Sequence, residues 1–142
     1  KFLNINNQII DDCDALIEGL KDGTIDMVTT DHNPIDIEGK KIEFDFAKYG
    51  TIGLESAFGA LQTLFTTKKS ISILTQGKSR FGLSESTINE GEKADLSLFN
   101  PDTSYEFGKS HITSRSKNSA FLGMTMKGET YGIIANNKIV LK

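Results

Sequence analysis

Apolar residues recur at Cys13, Leu16, Ile17 and Leu20, the i, i+3, i+4, i+7 spacing of one helix face, and predict an amphipathic helix with Asp11 or Asp12 as its N-cap. It should stop near Gly23. The turn Lys21-Asp22-Gly23 then feeds a short buried strand, Ile25 to Thr29, which gives way to the polar run Thr29-Thr30-Asp31-His32-Asn33-Pro34. Residues 33–50 read as a long loop whose apolar members Ile42, Phe44 and Phe46 are expected to pack back over the body of the protein. Loops of this length inside a compact domain are uncommon and are usually functional or flexible. Leu54, Ala57, Phe58, Leu61, Leu64 and Phe65 mark a second, strong helix, with Glu55 in its first turn and Lys68-Lys69 at its end, both suited to the helix dipole. Ile71 and Leu74 mark a shorter helical piece ending near Gly77, and Arg80-Phe81-Gly82-Leu83 a closing turn.

From residue 84 onward the helical period vanishes and short strand patterns replace it: Ala94 to Phe99, Tyr105 to Phe107, Phe121 to Met126, Thr130 to Ala135 and Lys138 to Leu141. Glu90-Gly91, Asn100-Pro101, Lys127-Gly128 and Asn136-Asn137 separate them, and Asn136-Asn137 suits a two-residue hairpin loop because asparagine tolerates positive φ. The expected organisation is α/β: residues 1–83 as helix, strand, long loop and helices, then residues 84–142 as a small, mostly antiparallel β domain. Residues 1–10 show only weak alternation. The eight phenylalanines from Phe44 to Phe121 are spaced as core residues.

The composition narrows the function classes. Hydrophobic residues at 37% and charged residues at 25% are globular values, and Gly 13 against Pro 2 points to tight turns rather than disorder. A net charge of −3 with interspersed signs argues against nucleic acid or an anionic membrane as a partner, and Lys40-Lys41, followed by Glu43 and Asp45, reads as a solvated loop. No apolar run approaches the roughly 18 residues of a membrane helix. The lone Cys13 fits a small buried hydrophobe and a reducing, cytoplasmic setting. The start Lys1-Phe2-Leu3-Asn4 has neither a methionine nor a signal-peptide pattern, which suggests a chain cut from something longer. Gly50-Thr51-Ile52-Gly53 lacks the third glycine and the lysine of a phosphate-binding loop.

Asp31 is the leading candidate for chemistry. A carboxylate at a strand tip can ligate a divalent metal and accept a proton from an attacking water. It can equally cap the following turn, with Pro34 fixing the bend. His32 would point to the opposite face of a strand from Asp31 and reads as a packed, hydrogen-bonded histidine. His111, among Ser110, Thr113 and Ser114, reads as a surface residue, and Glu55 as an ordinary first-turn helix residue. A catalytic zinc normally takes about three protein ligands. With two histidines and one cysteine in all, this chain is not expected to hold zinc tightly by itself.

The ordered set Ile17-Glu18-Gly19-Leu20-Lys21-Asp22-Gly23-Thr24-Ile25-Asp26, Thr30-Asp31-His32-Asn33-Pro34 and Tyr49-Gly50-Thr51-Ile52-Gly53-Leu54-Glu55 resembles the last third of dihydroorotases, enzymes of the cyclic amidohydrolase superfamily. Ile88 to Phe99 resembles the strand by which those enzymes re-enter their small β domain, and Ser116 to Gly123 their late loop. The resemblance implies the C-terminal part of a (β/α)8 barrel followed by the β domain, and a zinc-dependent, reversible cyclisation of N-carbamoyl-L-aspartate to dihydroorotate. It implies that Asp31 is a metal ligand and the proton shuttle, that Asn4 binds substrate, and that the backbone around Tyr49 and Gly50 contacts the pyrimidine ring. The partners implied are a small-molecule substrate and either a second copy or the missing N-terminal part of the enzyme. Two departures stand out: Ile5-Asn6-Asn7-Gln8 replaces the usual Pro-Pro-Leu-Arg, and Ile35 stands where many members carry a substrate-binding histidine. They keep open a second reading, a non-catalytic structural or partner-binding subunit derived from the same fold.

Overall fold

A computed structural model of the chain describes residues 7–83 and 87–142, with side chains from Cys13 onward. Helix α1 spans Asn7–Asp22 and ends at Gly23 as the apolar period predicts. It is already helical at Asn7, so Asp11 and Asp12 lie inside it and neither is its N-cap. Leu20 is buried, Cys13 and Ile17 are half-buried, and Leu16 stays exposed.

Ile25 to Thr29 is not a ladder strand. Ile25 and Val28 pack beside Leu20, Leu61, Ile73 and Phe65, but the segment makes no sheet pairing apart from one isolated parallel bridge further on, His32 to Thr51. A strand exists only where a neighbouring backbone accepts and donates its hydrogen bonds in a ladder, and among the described residues Ile25 N–H instead donates to Gly19 O and Asp26 O accepts from the Gln76 side chain. The long loop also departs from expectation. Its base is tied, Lys48 N–H donating to Gly39 O, yet Ile37, Ile42, Phe44, Phe46 and Tyr49 remain exposed.

The two expected helical pieces both form, but the boundary between them lies earlier than expected. Residues 54–56 are turn, α2 spans Ala57–Leu64, and α3 spans Thr67–Thr75. The break is local chemistry: the Thr66 hydroxyl accepts from Lys69 N–H and starts a new helix, so the two lysines sit in its first turns rather than at the end of the one before. A four-residue helix α4, Gly77–Arg80, precedes the Phe81-Gly82 turn, and Arg80 pairs with Asp26.

Five expected strands become three: β1 (Leu96–Glu106), β2 (Thr125–Ala135) and β3 (Lys138–Leu141), antiparallel in the order β1-β2-β3. Two register shifts let β1 and β2 run on through their expected breaks, one between Leu98 and Phe99 and one between Asn100 and Ser104. The second accommodates Pro101, which has no N–H to give a ladder. Asn136 and Asn137, at φ 52 and 59, close the β2–β3 hairpin as the sequence predicts.

Helix α2 lies on the sheet and joins two small cores. On one side Ile52, Phe107, Ile112 and Met126 are buried with Ala60, Tyr105 and Phe121 against them; on the other are Leu20, Leu61 and Ile73. The close approach needs Gly59, where a Cβ would sit 2.6 Å from the Tyr105 hydroxyl and 3.0 Å from Met126 Sδ. Of the eight phenylalanines read as core, only Phe107 is fully buried; Phe44, Phe46 and Phe81 are exposed. No helix among the described residues is long and apolar enough to cross a membrane.

The accessible surface is 10591 Å² for 15.6 kDa, against about 7,200 Å² for a compact monomer of that mass. Much of the apolar surface, Ile139, Val140 and Leu141 on β3 and Phe44 and Phe46 on the loop included, has not been removed from water. The isolated chain should therefore self-associate. Sedimentation velocity at about 100 μM is expected to show species larger than a monomer, and a single compact monomer peak there would refute this.

Candidate functional site

The site is built where the polar tip after Val28 meets the segment 50–52. Asn33 N–H donates to Thr51 O at 2.9 Å, and this single parallel contact sets the tip beside Gly50 and Ile52. Asp31 takes φ 43, a left-handed conformation that aspartate adopts more readily than most residues, and its side chain is exposed. His32 turns the other way. Its Nδ1 accepts from the N–H groups of Gly53 and Leu54, both at 3.2 Å, and its Nε2 lies 3.4 Å from Ser114 Oγ. In this arrangement Nδ1 serves as the acceptor and Nε2 faces the Ser114 hydroxyl. The packed, hydrogen-bonded reading of His32 holds, and both ring nitrogens are in use.

Ser114 links the histidine to Glu55. Its N–H donates to Glu55 Oε1 at 2.8 Å and its hydroxyl donates to the same oxygen. Glu55 Oε2 is buried without a hydrogen-bond partner among the described residues and lies 4.0 Å from His32 Nδ1. Burial pushes the Glu55 carboxyl up, but the two Ser114 hydrogen bonds, its own backbone N–H and the nearby His32 outweigh it, and the group sits below the ordinary glutamate value.

The chain beyond Ser114 continues the clasp. Ser116 Oγ donates to Ile35 O at 2.8 Å, Asn118 Nδ2 to Gly50 O at 3.0 Å, and Ile52 N–H to Asn118 O at 3.0 Å. Thr51 Oγ1 donates to Asn118 O at 3.1 Å and accepts from Ala120 N–H at 3.0 Å. Gly50, at φ 122, admits no side chain, because a Cβ there would lie 2.5 Å from Asn33 Nδ2.

Of the residues singled out from sequence, the structure brings Asp31 and Gly50 to one place. Tyr49 is next to them, largely exposed, with its carbonyl 3.4 Å from Asn33 Nδ2. Asn4 lies outside the described residues. Sequence reasoning missed Glu55 and Ser114 as partners of His32, because nothing local marks residues that meet across such separations. His111 is not a plain surface residue: its Nδ1 accepts from Gly108 N–H at 3.0 Å and its ring lies beside Tyr105 and Phe107. Lys40 is not simply solvated either, since its ammonium donates to Lys48 O and Gly50 O, both at 2.6 Å.

The donor set does not make a zinc site. Among the described residues no three His, Cys, Asp or Glu side chains converge, and the imidazole next to Asp31 is committed elsewhere.

The chain is 40% identical over 139 residues to the dihydroorotase of Caldicellulosiruptor saccharolyticus, covering 93% of this chain and 32% of that protein. It is 36% identical over 140 residues to the dihydroorotase of Chlorobaculum tepidum, covering 94% and 32%. By sequence, the chain matches the C-terminal portion of dihydroorotases. It spans about a third of the length of these curated relatives. No family model matches the chain. Solved structures share its fold: a Thermus D-hydantoinase (dihydropyrimidinase) with a TM-score of 0.77 at 24% identity, over 91% of this chain and 31% of that one. The inactive dihydroorotase-like domain of the Chaetomium thermophilum CAD-like multifunctional protein has a TM-score of 0.60 at 17% identity, over 93% and 38%.

Two outcomes are expected from this site. Glu55→Gln should destabilise the chain by about 1.5–3 kcal/mol at neutral pH, the usual worth of a hydrogen bond to a charged group. Because the folded carboxyl sits below its ordinary value, its contribution is full above the ordinary glutamate range and is lost as pH falls through the folded value. The gap between parent and variant melting temperatures should therefore close on acidification; a gap independent of pH would contradict the assignment. Zinc titrated into the isolated chain should bind weakly. Calorimetry showing a stoichiometric submicromolar site would refute that and force a ligand role on His32 or His111.

Proposed function

We propose that this chain is part of a dihydroorotase-type cyclic amide hydrolase, interconverting N-carbamoyl-L-aspartate and dihydroorotate in pyrimidine synthesis, in the cytoplasm. In this reading residues 1–83 belong to the C-terminal part of a (β/α)8 barrel and residues 84–142 to its small β domain. The observation that carries the proposal is Asp31. In a sequence 40% identical to a dihydroorotase, its carboxylate is exposed at the tip while the imidazole beside it is tied inward.

Asp31 acts as the base. In the hydrolytic direction a water oxygen bonds to the ring carbonyl carbon, Asp31 accepts the proton that the water gives up, the ring C–N bond breaks, and the nitrogen takes a proton. Asn4 and the backbone at Tyr49 and Gly50 contact the small-molecule substrate. Zinc would be the cofactor of the complete protein, polarising the ring carbonyl and its water; Asp31 would be one of the residues holding it and residues outside this chain would supply the others. The 142-residue chain is inactive alone.

A second reading, a non-catalytic structural or partner-binding subunit, draws support from Ile35 and from Ile5-Asn6-Asn7-Gln8, and from a fold neighbour that is itself an inactive dihydroorotase-like domain.

Asp31→Asn, made in a protein of the relatives' full length, separates the two. The amide keeps the shape but cannot accept the proton, and general-base contributions of about 10²–10⁴-fold set the expected loss of kcat. Zinc content is measured on the same preparation, because metal retention can fall as well. A variant that keeps its zinc and more than about a tenth of the parent kcat would show that Asp31 is not the base. A folded, zinc-loaded parent with no turnover of dihydroorotate would support the second reading.

A further inference from the structure

The long loop and the clasp enclose a feature that the proposed chemistry does not use. A cleft of about 520 Å³ opens between residues 35–41 and 109–118, within the size range of small-molecule sites. Five basic side chains line it, Lys40, Lys41, Lys109, Arg115 and Lys117, against two acidic ones, Asp36 and Glu38. The chain as a whole carries a net charge of −3, so this concentration of positive charge runs against the rest of the surface. Asp31 and Tyr49 are not part of the lining.

Two of the five cations are structural. Lys40 is held on the carbonyls of Lys48 and Gly50, and Lys117 on that of Ile112 at 2.7 Å, which fixes their charges in place. Lys41, Lys109 and Arg115 are exposed and make no ion pair among the described residues, nor do Asp36 and Glu38. Three cations left unneutralised around a concave space, backed by two fixed ones, make a preorganised site for an anion with more than one charge.

We propose that this cleft binds a small organic anion carrying two or more negative charges, as phosphates or carboxylates. Lys41, Lys109 and Arg115 are its direct partners, and Arg115 offers the planar fork that pairs two anionic oxygens at once. Ile35 and Ile37, also in the lining, give an apolar wall for the body of the ligand. Asp31 does not line the cleft, although Ile35 does and Lys40 is held on Gly50 O, so the test reads anion binding and not turnover.

Calorimetric titration of the full chain with adenosine triphosphate, inorganic tripolyphosphate and citrate, at moderate salt, tests this. Saturable binding of at least one is expected, and which of them binds distinguishes phosphate from carboxylate ligands. K41Q/K109Q/R115Q should weaken that binding by at least tenfold, Arg115→Gln alone by about tenfold, and Lys68→Gln, on α3 and outside the cleft, should leave it unchanged. Circular dichroism checks that each variant is folded, and Arg115→Gln carries the test if the triple variant is not. Absence of saturable binding by all three probes would overturn the proposal, as would equal losses in Lys68→Gln and the cleft variants.

Discussion

The structure depends on the polar clasp that residues 114–120 throw across the tip of the 25–31 segment and the segment 50–52. The only direct backbone link between those two is the single bridge at His32 and Thr51, and one hydrogen bond nets about 1 kcal/mol. Closing the loop between them costs about 2.5 kcal/mol in entropy, before the strained φ of Asp31 is counted. One bridge cannot hold that. Bonds from Ser114, Ser116, Asn118 and Ala120 to Glu55, Ile35, Gly50 and Thr51 add several contributions of similar size. The tip is thus positioned from the C-terminal half of the chain rather than by sheet neighbours of its own.

That dependence ties the two halves together. Ile52, just past the bridge, is buried among Phe107, Ile112 and Met126, and α2 presses Gly59 onto Tyr105 and Met126 from the same side. The region that carries Asp31 and the sheet therefore share a core. The core is small for the length of chain, however, and the aromatic residues of the long loop and the apolar residues of β3 lie outside it. A chain that leaves this much apolar surface wet keeps a strong drive to cover it, with a second copy or with another polypeptide.

What could be read from the sequence was what short-range chemistry dictates. The end of α1 at Gly23, the burial of Leu20 and the Asn136-Asn137 hairpin follow from apolar period and from residues that tolerate particular φ values. The Thr66 cap is also local, but Leu64 and Ile71 lie seven apart and keep one helical period across it, so the sequence sets the boundary between the two helices a few residues late, after Lys69. The strand at Ile25 was misjudged for a different reason: its composition suits a strand, but strand formation is decided by a partner that composition does not reveal. The phenylalanines misled in the same way, since hydrophobicity records a tendency to be buried and not what is there to bury against. Within the site, Asp31 was legible as an exposed group at a chain reversal. Glu55 and Ser114 were not, being 59 residues apart and ordinary in their local surroundings.

The division of labour at the tip follows from this geometry. On a regular strand Asp31 and His32 would alternate faces, with neither side assigned a role. The left-handed turn at Asp31 and the two N–H groups of Gly53 and Leu54 settle it: the imidazole becomes an acceptor for the start of the 53–56 turn, and the carboxylate is left outside. With Nδ1 accepting from those two N–H groups and Nε2 beside Ser114 Oγ, the imidazole holds the backbone at the tip. The carboxylate next to it makes no such bonds and stays exposed at the tip, so the same turn that ties the ring inward leaves Asp31 facing outward.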